Sequence, residues 1–269
     1  MTGIQMTGSI VEYVERSGIR EVVIVSPHLD DAAFSTSGLL LSKVSHRCRV
    51  LTVFTQANAQ SDPGWAQAGG FADPVQEHAA RRQEDHDAMT RAGVRFAHLG
   101  FGPGEFTSKH AAQLARRIAS QDGEATDPSS SERILCLLPA GAGLSGRRGN
   151  STYRWRRLTG KHPGASAHPE HLAVRDGLLQ HLIGHRCRVG FYNEFPYLWR
   201  DWTWRVQRQL RTLSARPVKR FTTPADRESK LRLMDVYASQ VALAFGPNRQ
   251  ALIRAIDRDE EYFVVRPEQ

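Results

Sequence analysis

Five short apolar runs constrain this chain more than any other feature: EVVIV (21–25), RVLTVF (49–54), VRFAHL (94–99), RILCLL (133–138) and CRVGFY (187–192). Each is rich in β-branched or aromatic residues, too short for a buried helix, and bounded by turn residues. Such runs read as strands covered on both faces. Helical patterns separate them: 32–45 with Leu39, Leu40 and Val44, then 75–92, 107–120 and 169–183. Strand and helix in alternation predict an α/β fold, a Rossmann-like, doubly wound and mostly parallel sheet whose ligands sit beyond the carboxyl ends of the strands. After residue 196 the pattern shifts to the aromatic and basic YLWRDWTWRVQRQLR, then a helix from about Pro224, another from about Pro247 and a final YFVV strand. The expectation is one domain over 1–269, with a core at about 20–200 and a C-terminal elaboration at about 200–269 packed on the same sheet.

Three long connections interrupt the alternation, at 56–74, 121–132 and 139–167. Loops of that length inside a compact domain carry function or are mere surface. QDGEATDPSSSE (121–132) reads as surface; the other two flank the segments that carry the chemistry. The third holds Arg147, Arg148, Arg154, Arg156, Arg157 and Lys161 with no acidic residue. Globally, the formal charge of +8 comes from 36 basic and 28 acidic residues, and 31 of the 36 are Arg spread along the chain. That spread argues for a compositional bias toward Arg over a nucleic-acid surface. HRCRV occurs at 46–50 and 185–189, each time leading into a strand, without the sustained period of a repeat. Cys48, Cys136 and Cys187 each lie in or beside an apolar run and read as buried free thiols. No secretory signal pattern opens the chain and no apolar run approaches the roughly 20 residues of a membrane helix. A cytoplasmic location without membrane contact is the expectation.

The first strand ends in VVIVSPHLDDAAFS (22–35). His28 and Asp31, three apart beyond the strand, can meet at one point in a tight turn, and an imidazole with a carboxylate suits zinc or a similar divalent ion. Asp30 projects from the same turn, where it can accept a proton from water activated by the metal. Asp near a helix start is also an ordinary cap, so the motif needs a further ligand. AHPEHLAVRDGLL (167–179) offers one: His168 and His171 lie on one face of a helix start with Pro169 in its first turn. One of these histidines can complete a two-His, one-Asp site, while the other remains free as an electrostatic or acid group.

PHLDD with HPEH resembles the LmbE-like, or PIG-L, family of zinc-dependent de-N-acetylases, over about residues 20–200. The resemblance implies that His28, Asp31 and His171 hold Zn2+ or another divalent metal, that Asp30 is the general base, and that His168 stabilises the charged tetrahedral intermediate. RRQEDHDAMTRAGVRFAHLGF (81–101) is similar to the family's Arg-containing helix before an LGF strand end, which makes Arg81 a candidate substrate contact. Three motif positions differ: Leu29 for the usual Pro, Ala32 for the usual Glu, Glu170 for the usual Asp. Ala32 removes an acid, so the orientation of the metal ligands must rest on another partner. Some relatives carry a Tyr two residues before the second motif, where this chain has Ser166.

FYNEFPYLW (191–199) follows the last strand of the alternation, so Asn193 and Glu194 are expected at the rim as contacts for substrate hydroxyls. The function implied is metal-assisted hydrolysis of an acetyl or other acyl amide on an N-acylated amino sugar or glycoside, a small-molecule substrate. The alternative is a non-catalytic relative that binds nucleic acid or an acidic partner through the basic loop. Nucleotide-dependent transfer is disfavoured, because no G-x-G-x-x-G or G-x-x-x-x-G-K-[ST] follows the first strand.

Overall fold

A computed structural model describes residues 8–120, 131–141, 168–197, 203–224, 226–245, 250, 252, 253, 256 and 258–266. All five apolar runs form strands: β2 (Glu21–Ser26), β3 (Cys48–Phe54), β4 (Arg95–Phe101), β5 (Ile134–Pro139) and β6 (Arg188–Tyr192). They pair in parallel in the spatial order β4, β3, β2, β5, β6. The order reverses beside β2, whose neighbours β3 and β5 are reached by crossovers in opposite directions. A crevice therefore opens beyond the ends of β2 and β5.

The two faces of the sheet follow the strand period of two. Val22 and Ile24 of β2, with Leu135 and Leu137 of β5, join one core; Val23 and Val25, with Ile134, Cys136 and Leu138, join the other. Helices α2 (Asp31–Leu40) and α4 (Pro74–Ala92) lie on the first face, α5 (Ser108–Ala119) and α6 (Pro169–Gly184) on the second. Cys48, Cys136 and Cys187 are buried and free, and burial pushes the Cys48 and Cys187 thiols up to about 12.

The sheet extends past β6 through β8 (Glu260–Val265), antiparallel to both β6 and β7 (Val218–Thr223), and ends on β1 (Gly8–Ser9), which pairs with β7 in parallel. Sequence patterning missed β1 and the short helix α1 (Ile10–Arg16), which Ser9 caps, and also β7. The helix expected at 32–45 stops at Leu40, where the Ser42 hydroxyl takes up the Leu39 carbonyl. The helix expected from Pro224 is two. Asp226 caps one over Arg227–Met234; the chain then turns so that the buried Tyr237 hydroxyl can donate to Asp85, and a second covers Ala238–Phe245. The aromatic and basic stretch becomes a helix at Thr203–Ser214, and the 56–74 connection contains one at Pro63–Ala68. Of the helix expected from about Pro247, residues 250, 252 and 253 are described and helical; the basic residues 147–161 lie outside the described residues. No helix among the described residues is long and apolar enough to cross a membrane.

Leu233, Met234, Tyr237, Tyr262 and Val264 share a core with Val22 and Ile24. Truncation before residue 216 would bare the β6 edge and that core face together. The truncated chain should lose cooperative thermal unfolding; a sharp transition near that of the full chain would show that the first 215 residues fold alone.

Candidate metal and catalytic site

The polar residues of the first motif leave β2 at the crevice. Ser26 closes the turn, donating from its hydroxyl to the His28 carbonyl and accepting from the Ala32 amide. Asp30 occupies the cap position of α2, yet its side chain caps nothing. The carboxylate instead lies 3.5 Å from the Arg81 guanidinium, which also pairs with Glu77 at 3.3 Å. Asp31 begins the helix and accepts the His28 amide at 2.9 Å, which holds its carboxylate oxygen Oδ2 near His28 Nδ1.

The second motif arrives at the start of α6. Arg175, almost wholly buried, ties this helix to the end of β5 by donating to the Ala140 carbonyl at 2.7 Å. Gly141 permits that approach: its φ is +98°, and a Cβ there would stand 2.2 Å from the Arg175 guanidinium. So placed, His171 Nε2 is 3.0 Å from His28 Nδ1 and 3.4 Å from Asp31 Oδ2, and His28 Nδ1 is 3.3 Å from Asp31 Oδ2.

This triangle fits a metal. Ligands bonded at about 2.0 to 2.1 Å in a tetrahedron stand about 3.3 to 3.4 Å apart, so the three donor atoms already lie near the spacing zinc requires. Each imidazole is also aimed from behind. His171 Nδ1 bonds the buried Glu194 carboxylate, and His28 Nε2 is 2.7 Å from Glu170 Oε2. Outer carboxylates of this kind fix the tautomer that turns the other ring nitrogen inward. His168 is close as well, its ring centroid 5.0 Å from that of His28 and 4.8 Å from that of His171. The three histidines are a second conceivable donor set among the described residues. The two-His, one-Asp set is tighter, and His168 lacks a carboxylate at hydrogen-bond distance, its Nδ1 standing 3.7 Å from Glu170.

Burial and charge polarise the group. Burial opposes a proton on His28, but hydrogen bonds and charge from Asp31 and Glu170 outweigh it and raise the imidazole to about 9. Asp31 is buried too, yet the facing His171 and His28 hold it well below the usual carboxylate range. A divalent cation bound here must displace the proton that His28 holds, so metal binding weakens as pH falls. Asp30 moves the other way: burial raises it to about 6 against the opposing pull of Arg81. Burial, with His28 and His171 nearby, lowers His168 to about 4.

The residues expected at the rim lie elsewhere. Glu194 stands behind His171, and Asn193 donates to Glu261 at 3.0 Å, toward β8. Arg81 is buried against Asp30. Three participants escaped the sequence: Glu170 as partner of His28, Arg175 as the tie beneath the motif, and Tyr197, exposed and edge-on to His171 at 5.5 Å. A polar residue inside HPEH marked Glu170 only weakly, and nothing local marked the others. Ser166 lies outside the described residues.

Residues 23–141 match the family described as PIG-L, GlcNAc-PI de-N-acetylase, so the resemblance read from PHLDD holds over this part of the sheet; HPEH lies beyond it. Similar solved structures include a deacetylase triple mutant from the teicoplanin biosynthetic pathway, at TM-score 0.64 and 18% identity, covering 93% of this chain and 99% of that one. The N,N'-diacetylchitobiose deacetylase of Pyrococcus horikoshii gives 0.55 at 12% identity, covering 95% and 89%. A 4-carboxy-2-hydroxymuconate hydratase from Pseudomonas putida gives 0.52 at 12% identity, covering 93% and 98%. At these identities the likeness establishes the fold. Comparison with curated protein sequences gives no match.

His171 and Glu194 are a buried pair, so removing one strands the other. In the metal-free protein at pH 8, His171→Ala should cost about 3 to 5 kcal/mol, measured by urea unfolding, and adding Glu194→Leu should recover most of it. Equal stability of His171→Ala and wild type would contradict the pairing.

Proposed function

We propose that this chain, which matches the PIG-L family over residues 23–141, is a metal-dependent amide hydrolase that removes an acetyl or other acyl group from an N-acylated amino sugar or glycoside. One observation carries the reading: His28 Nδ1, Asp31 Oδ2 and His171 Nε2 lie 3.0 to 3.4 Å apart, with a carboxylate behind each imidazole. Zinc or a similar divalent ion held there would supply Lewis-acid polarisation of the amide carbonyl and lower the pKa of water in the site.

The chain's own groups then move the protons. Asp30, held by Arg81 and raised to about 6, accepts the proton of the attacking water and can return it to the departing amine. Arg81 orients this base, with the rest of its guanidinium buried against Glu77. His168, with its pKa lowered to about 4, is neutral near pH 7 and stands at the mouth, where an imidazole N–H can meet the developing oxyanion. Glu194 serves the site through His171 and leaves substrate hydroxyls to other groups. Tyr197 presents an exposed ring beside His171 for a sugar or aglycone face.

The substrate class follows what similar folds are named for: one deacetylase belongs to teicoplanin biosynthesis and another is named for N,N'-diacetylchitobiose. The hydratase neighbour supplies the competing reading, addition of water across a carbon–carbon double bond, since it shares the fold. Asp30 favours hydrolysis, because a base beside the metal position can serve both water and leaving amine. A cytoplasmic setting is part of the proposal.

Chelation should abolish amine release from a panel of N-acetylated sugars and glycosides, and added zinc or another divalent ion should restore it. Activity that survives exhaustive chelation would sink the metal-dependent reading. Asp30→Asn should lower turnover by at least about 100-fold while bound metal, measured by elemental analysis, stays at the wild-type level. Near-normal turnover would remove Asp30 from the role of base.

A further inference from the structure

We infer that Glu170 is a positioning residue for the metal site: it holds the His28 ring so that Nδ1 faces Asp31 and His171, the duty left without an owner where Ala32 stands. The inference rests on the proposed metal site and assigns its retention of metal to a residue outside the ligand set. Three observations carry it. Glu170 Oε2 is 2.7 Å from His28 Nε2, the nitrogen that points away from the triangle. The same oxygen is 3.7 Å from His168 Nδ1, so its hydrogen bond goes to His28 and not to its motif neighbour. Ala32 is buried among apolar residues and offers no polar atom to any ligand.

Reach decides which acid can do this. Glu170 lies in the first turn of α6, whose place is set by Pro169 and by the Arg175 tie to Ala140. Aspartate would withdraw the carboxylate by about one carbon–carbon bond, roughly 1.5 Å, beyond hydrogen-bond reach of Nε2. With no acceptor, His28 can rotate or take the other tautomer, and Nδ1 is no longer held toward the triangle. On this account the chain carries Glu at 170 because the side chain must cross to the imidazole delivered by a different strand.

Glu170 also sits at a helix N-terminus, where any acid favours the helix. The variants separate the two roles. Glu170→Asp keeps the charge at the helix start and should leave thermal stability of the metal-free protein near wild type. Its zinc affinity, measured by competition with a chromogenic chelator, should fall roughly 10- to 100-fold, as should that of Glu170→Ala. Glu170→Gln keeps an acceptor oxygen at full reach and should lose less, under about tenfold. Zinc binding by Glu170→Asp within about twofold of wild type would overturn the positioning role while leaving the metal site standing. Failure of the wild-type protein to bind zinc or any other divalent ion would overturn the site, and this inference with it.

Discussion

The structure depends on a cost: two imidazoles and a carboxylate are brought together where little water reaches them. His171 is fully buried, and Asp31 nearly so. Polar groups in such a place are tolerable only if each has a fixed partner. The protein meets this with a second ring of groups. Glu194 faces His171, Glu170 faces His28, and the His28 amide faces Asp31. Left facing one another, 3.0 to 3.4 Å apart, are His28 Nδ1, Asp31 Oδ2 and His171 Nε2. Asp30 differs because it is paired only loosely with Arg81, and that looser hold suits a group that exchanges protons.

The sheet makes this convergence possible. The members of the site follow the carboxyl ends of three strands: His28, Asp30 and Asp31 follow β2, the HPEH helix follows β5, and Glu194 follows β6. The reversal of strand order beside β2 brings these ends to one crevice. Strands β7 and β8 also bear on the site. Asn193 is bonded through its amide and its backbone to Glu261 of β8, so the C-terminal strands hold the segment that carries Glu194. Phe195 packs in the same core as Tyr262 and Leu233.

Much of this was legible in sequence because it is periodic or local. The five strands show as β-branched runs, and the triangle of His28, Asp31 and His171 shows as two short motifs, each beyond a strand end. What escaped was set by distant partners. Strand β7 sets Lys219 and Arg220 between buried residues and runs antiparallel to β8, so VKRFTT lacks the continuous apolar signal of a buried parallel strand. The break between the two C-terminal helices depends on Tyr237 reaching Asp85 from another helix. Glu194 looked like a rim residue because its position after β6 is near the substrate side. Its side chain turns inward because His171, far off in the sequence, needs an acceptor. Glu170 lay inside the motif, but only the fold shows which of two histidines it serves.

The central claim is that His28, Asp31 and His171 form one metal site, with Asp30 and His168 beside it and outside the ligand set. A crystal structure of the zinc-loaded protein with anomalous data collected at the zinc edge tests it most directly. The account predicts a single strong peak within about 2.0 to 2.2 Å of His28 Nδ1, Asp31 Oδ2 and His171 Nε2, with the Glu170 and Glu194 bonds intact. A peak coordinated by His168 with Asp31 turned away, or no peak at this position, would contradict it.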